Sequence, residues 1–206
     1  MRRPVLTPVD RVPLVGGRLC LDFVNTTGAR ACGAPRERLE SYAALLVWAV
    51  RTGALPRLDE MRLSELARQR PVEAASALER LKGARELLYR TFRATLAGSA
   101  PSTLDLRGLN ELVGEASRWR VLEPAGPRLA WRARPPERFE GILWPVIADA
   151  ADLLVSEAMR SLKQCGECDW LFLDETRNGG RRWCKKACGD RVKSRRYYAR
   201  RAAGVA

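Results

Sequence analysis

Histidine is absent from all 206 residues. Without an imidazole the chain has no Ser-His-Asp or Cys-His machinery, no histidine metal ligand and no ordinary general base near neutral pH. A carboxylate or lysine enzyme would still be open, but there is no nucleophile motif or phosphate loop, so a non-enzyme is expected. Long apolar runs are missing too. The longest, "YAALLVWAV" from Tyr42 to Val50, has nine residues, about half the length a bilayer helix needs. The opening "MRRPVLTPVDRVPLVGG" carries arginines but no signal-peptide core, and Asp10 interrupts it. A cytoplasmic protein with no membrane partner is therefore expected. In a reducing cytoplasm disulfides rarely persist, and clustered cysteines favour metal or redox chemistry. Acid is scarce at one end. From Arg177 onward Asp190 is the only acidic residue against eleven Lys/Arg, so ten of the thirteen net positive charges fall there. A nearly neutral body with a basic tail points to an anionic polymer as partner.

With 46% apolar and 30% charged residues, the body reads as globular. "VGGRLCLDFVNT" (Val15 to Thr26) alternates Leu19, Leu21 and Phe23 with Arg18, Cys20 and Asp22 after a Gly-Gly turn, which predicts a strand. Asp22 and Asn25 at its end are expected to make local capping or turn bonds. They are also the candidate contacts for a small-molecule effector. Ser41 is a candidate N-cap for a helix through Arg51, closed by Gly53. Helical spacing recurs in Leu58–Arg68, in Val72–Leu96 with Pro71 in its first turn and Gly98 after its end, and in Leu104–Ser117. "RWRVLEPAGPRLAWRAR" (Arg118 to Arg134) reads as a β-hairpin about Pro-Ala-Gly-Pro. A helix is then expected over Trp144–Leu162. Trp48, Trp131 and Trp144 sit in apolar contexts and are expected in the core. Cys20 and Cys32 are expected as small buried side chains. The fold class is α+β: a mostly helical N-terminal domain with a small antiparallel sheet over residues 1–162, then a C-terminal module over 163–206.

That module holds the strongest pattern. Cys165-x2-Cys168, fifteen residues, then Cys184-x3-Cys188 supplies four thiolates in two close pairs, the donor set of a tetrahedral Zn²⁺, one per chain. "DWLFLD" places Trp170 and Phe172 on one face, "TRNGG" is a turn, and "RRWC" is expected to return as the second strand. Cys184 and Cys188 share one helix face, giving a treble-clef-like arrangement ending in a basic helix. An iron–sulfur cluster also accepts four cysteines, and spacing alone does not exclude it. A redox Cys-x-x-Cys would need only one pair. Some 45 residues bury too little apolar surface to fold alone, so the metal is expected to supply the missing free energy.

"CGEC…LFLDETRNGGRRWCKKACGDRVKSRRYYARR" resembles the CGNR zinc-finger family of bacterial proteins, and "LCLDFVNT" resembles the motif that opens the ABATE domain found N-terminal to it. The resemblance implies a stress-responsive transcription regulator that binds DNA through its zinc module. It implies Cys165, Cys168, Cys184 and Cys188 as zinc ligands and places Arg191, Lys193, Arg196 and Arg200 on the family's basic-helix pattern. The family's Asn is Asp190 here, which would serve as a cap near a helix start but repel a phosphate. Together with Arg182, Lys185, Lys186 and Arg195, these cations are the candidate DNA contacts. Arg191 is expected at the base or groove, and Arg195 and Arg200 at phosphates. Cys188, Val192, Ala199 and Ala203 are expected to face the zinc core. Lys185, Lys186, Arg181 and Arg182 also offset the thiolate charge. A sensor joined to a DNA reader allows two further partners, a small-molecule effector and a second copy forming a homodimer. The competing reading is an adaptor whose basic module binds RNA or an acidic protein surface.

Overall fold

The computed structural model describes residues 9–28, 30 and 35–202. Its architecture is mostly helical with three small antiparallel strand pairs, and the locally encoded helices lie where their caps put them. Helix α2 (Tyr42–Arg51) starts at Ser41, whose hydroxyl accepts from the Ala44 N–H at 3.1 Å, and Gly53 follows its end at φ 74°. Helix α3 spans Arg57–Gln69. Helix α4 (Pro71–Leu96) begins on its proline, where a missing N–H costs nothing. Helix α5 (Thr103–Ser117) is capped by Ser102 on Asp105 N. Strands β3 (Arg120–Ala125) and β4 (Arg128–Ala133) form the expected hairpin, turned by Gly126 at φ 64°, as a two-residue loop with glycine first requires.

The stretch expected as the first strand is instead helix α1 (Leu19–Val24). Cys20, Leu21, Phe23 and Val24 are all buried, which is helical spacing and not alternation. No local side chain caps it. Its start is held from a distance: an oxygen of Asp149 accepts the Cys20 N–H at 2.8 Å while the other takes Arg18 at 2.7 Å. Asp149 lies on helix α6 (Leu143–Leu154). This helix is shorter than expected, because the chain turns extended at Ser156 and a 3-10 turn over Glu157–Ser161 leads into strand β5 (Leu162–Gln164). β5 pairs with β6 (Leu171–Leu173), Leu162 opposite Leu173. The "RRWC" segment is therefore not the second strand. The loop joining the two strands is the Cys165–Cys168 knuckle itself.

Trp48, Phe23, Phe92, Leu81, Leu88 and Ile147 lie fully buried in one large core. Cys20 joins them as expected, whereas Cys32 lies outside the described residues. Trp144 is buried, but Trp131 departs from the expectation and is 56% exposed. Its ring carries the Arg120 guanidinium at 4.7 Å. Alternation along β6 serves two clusters. Leu171 and Leu173 enter the large core, while Trp170 and Phe172 join Val12, Cys165, Cys184 and Cys188 in a second, smaller one. No helix among the described residues is long and apolar enough to cross a membrane.

Strands β1 (Thr27–Gly28) and β2 (Arg36–Glu37) are pinned to α4 by Arg85. Its buried guanidinium reaches Glu37 at 2.8 and 2.6 Å, Thr26 at 3.1 Å and Glu86 at 3.0 Å. Burial works to raise the Glu37 carboxyl, but the hydrogen bonds and charge of Arg85 more than reverse it. Glu86 is likewise depressed, burial again being outweighed, here by Arg30 and Arg85. A depressed carboxylate contributes stability that is full above its unfolded value and lost as pH falls through the folded one. The expected result is that the protein loses stability below about pH 4.5. Arg85→Met should cost about 3 kcal/mol at pH 7 by leaving Glu37 partly buried and unpaired, and should flatten that acid dependence. Denaturant melts from pH 7 to pH 3 check both.

Candidate metal centre and nucleic-acid interface

The knuckle is closed by backbone bonds, Cys165 N–H to Trp170 O at 2.8 Å and Asp169 N–H to Cys165 O at 3.2 Å. Asp169 takes the left-handed conformation at φ 61°, which Asp tolerates better than most residues. The turn after β6 is organised by Asp174, which accepts from Thr176 N at 3.2 Å, Thr176 Oγ1 at 2.6 Å and Arg181 N at 2.8 Å. Cys184 then arrives beside the knuckle, and helix α7 (Lys186–Ala202) brings Cys188 one turn on.

The four sulfurs lie within 4.8 Å of one another. Cys168–Cys184 is 3.5 Å, Cys184–Cys188 3.7 Å and Cys188–Cys168 3.7 Å. Four thiolates about 2.3 Å from one Zn²⁺ in a tetrahedron stand about 3.8 Å apart, so the sulfur cage already has the right size. Crowded thiols share their protons. The Cys165 thiol is pulled down by hydrogen bonds from Cys168 and Cys184, and the Cys184 thiol is pushed up by those to Cys165 and Cys168. A dication held at the centre would replace those protons and would be bound by all four cysteines as thiolates. Arg191 donates to Cys188 Sγ at 3.2 Å, and Arg181 to the Cys184 carbonyl at 2.7 Å. These are the groups that hold ligands in orientation around a metal.

Two glycines make room for Trp183. A Cβ on Gly166 would stand 3.0 Å from its ring and one on Gly189 2.9 Å. The Trp-Cys-x3-Cys-Gly pattern is thus a packing unit: the indole slots between the knuckle and the first turn of α7.

The structure divides the candidate DNA contacts into engaged and unengaged cations. Glu167, inside the knuckle, accepts from Arg191 at 3.3 Å and from Arg195 at 2.5 Å. Lys186 pairs with Asp190 at 3.0 Å. Asp190 is therefore no cap, since α7 begins four residues before it. Lys193, Arg196 and Arg200 on α7, and Arg182 and Lys185 before it, make no ion pair among the described residues. Arg182 lies over the Trp183 ring at 5.6 Å and Lys185 over Trp170 at 4.9 Å. Cys188 and Val192 face inward as expected, but every residue from Lys193 to Ala202 is exposed. Ala199 thus departs from the expectation, and Ala203 lies outside the described residues. Beyond Val192 the helix projects without packing. Tyr197 and Tyr198 are exposed on it, edge to face at 5.5 Å.

Sequence reasoning missed the partners of Asn25 and three contributing side chains. Asp22 acts locally, accepting the Gly16 N–H at 2.9 Å. Asn25 does not: its amide donates to Leu171 O at 2.8 Å and accepts from Leu171 N at 2.9 Å, binding α1 to β6. Glu167 was legible only as an acid in a basic stretch. Arg36 lies on β2 and Arg38 just after it, and neither has an ion pair among the described residues. Arg38 lies over Trp170 at 5.2 Å, on the ring that also carries Lys185, and its buried Nε has no hydrogen-bond partner among the described residues.

A helical body joined to a four-thiolate metal cage and an outstanding basic helix defines a zinc-finger protein. The chain belongs to the ABATE family, whose model, described as "Putative stress-induced transcription regulator", matches residues 17–157. The CGNR zinc finger model matches residues 161–201. Neither is an enzyme family, and the cage is a site for one zinc ion. No curated protein matches the chain.

Proposed function

We propose that this chain is a zinc-dependent, DNA-binding transcription regulator of the cytoplasm, with residues 163–206 as the reader and residues 1–162 as the supporting domain. One observation carries the reading. Around the zinc cage and along α7 stand cations that no carboxylate among the described residues neutralises: Arg182, Lys185, Lys193, Arg196 and Arg200, joined by Arg38 from the larger domain. Charges left unpaired on one surface favour a polyanion whose phosphates release counterions on binding. The zinc cage fixes the root of α7 and presents its exposed length. Arg191 and Arg195 act first on Glu167, holding helix to knuckle. Lys193, Arg196 and Arg200 are the phosphate contacts, and Lys186 contributes when Asp190 releases it.

Salt titrations of zinc-loaded protein on duplex DNA test this. Log affinity should fall linearly with log salt, with a slope of about −0.9 per phosphate contact. Lys193→Ala, Arg196→Ala and Arg200→Ala should each weaken binding on all sequences alike and flatten the slope by about one unit. Unchanged slopes in all three variants, or tighter binding to single-stranded RNA or an acidic peptide than to duplex, would replace the regulator by an adaptor.

A further inference from the structure

On the larger domain, the hairpin, α6 and the segment joining α2 to α3 line an open cavity of about 320 Å³, a size that holds a small organic molecule. Three of the six tryptophans line it: Trp119, Trp131 and Trp144. Trp119 lies flat on Trp144, ring centres 4.0 Å apart and planes 9° apart, and Trp131 stays 56% exposed. Indole faces grouped around a void favour a flat, unsaturated guest.

The charges around the void decide the guest's sign. Three acids line it, and each is engaged. Asp149 is held by Arg18 and the Cys20 N–H, Asp59 by Arg62 at 3.5 Å, and Asp152 by Arg120 at 4.0 Å. Of the lining arginines, Arg120 is thereby matched and Arg132 has Glu123 at 3.9 Å. Arg134 is exposed and has no acid among the described residues; its backbone N–H is fixed on Trp119 O at 2.8 Å. The unmatched charge of the lining is therefore the positive one of Arg134.

We infer that this cavity binds a planar aromatic molecule bearing a carboxylate or similar anion, with the ring against Trp131 and Trp119 and the anion on Arg134. The inference stands apart from the nucleic-acid reading and draws on none of its residues. Naphthalene-2-carboxylate, its carboxamide and 2-naphthylmethylammonium are suitable probes, titrated by calorimetry into the full zinc-loaded chain. The carboxylate should saturate one site. The carboxamide should bind about tenfold more weakly for want of the charged hydrogen bond, and the ammonium should bind more weakly still. Arg134→Gln should erase the preference for acid over amide, and Trp131→Ala should weaken both. Both side chains are exposed, so melting temperatures of the variants should match the parent. Absence of saturable binding, or binding that ignores Trp131→Ala, overturns the site. Binding of the ammonium as tight as that of the carboxylate overturns the ligand class.

Discussion

Removing the zinc, or replacing one of its ligands by Cys184→Ser, should collapse the smaller of the two cores and abolish helix α7. That core has few large apolar side chains, chiefly Trp170 and Phe172 beside Val12 and the cysteines, too few to order such a segment unaided. Structural zinc contributes on the order of 10–16 kcal/mol in isolated zinc modules at pH 7, as much as a domain's whole net stability. Helix α7 has 17 residues and packs only through Cys188, Gly189 and Val192. Detached from the cage it is a short, self-repelling basic helix, marginal in water. Helical circular dichroism should fall by about the share α7 contributes, nucleic-acid binding should vanish, and the helices of the large core should persist. Metal analysis should find one zinc per chain in the parent and none in Cys184→Ser. Because four thiols must lose protons to bind it, zinc should be shed as pH falls. Iron with sulfide, or a metal-free chain with α7 intact, would defeat the assignment.

What could be read from the sequence follows from how local each determinant is. Helices α2, α4 and α5 carry their own caps and punctuation in Ser41, Pro71 and Ser102. The four cysteines were legible because ligand spacing is itself a geometric statement. Helix α1 was not, because its cap is Asp149, 129 residues away. A stretch with apolar residues at both alternating and helical positions is settled by what it packs against, not by its own pattern. The strand pairing of the zinc module was missed for a related reason. Asn178-Gly179 is a strong turn signal and Gly179 does turn there, its N–H bonding Thr176 O at 3.0 Å. Yet the ladder closes across the Cys165–Cys168 knuckle, where metal ligands and not turn residues bring the strands together. The role of Glu167 between Arg191 and Arg195 needed coordinates, since those partners lie 24 and 28 residues away.

The contacts across β6 set the second large effect, at Asn25. Its side chain is almost wholly buried and completes both backbone bonds of Leu171, as a neighbouring strand would. Trp170 adds an indole N–H to Thr27 O at 2.9 Å. Asn25→Ala leaves a buried N–H and a buried C=O unpaired at once, each worth about 1–3 kcal/mol, so a loss of about 4 kcal/mol is expected in denaturant melts. Asn25→Asp separates hydrogen bonding from packing, since the shapes match. At pH 7 the introduced carboxylate still accepts from Leu171 N but faces Leu171 O with a negative charge where a donor stood, and the loss should at least equal that of the alanine. Burial and that carbonyl raise the carboxyl's folded pKa above its unfolded value, so the folded state binds the extra proton. Once protonated, the group again offers one donor and one acceptor. Stability of Asn25→Asp relative to the parent at the same pH should therefore recover as pH falls from 7 toward 5. Asn25→Ala should show no such recovery. A negligible deficit for Asn25→Asp at pH 7, beside a full loss in Asn25→Ala, would mean that Asn25 acts through its shape alone, and that the amide clamp between α1 and β6 contributes little.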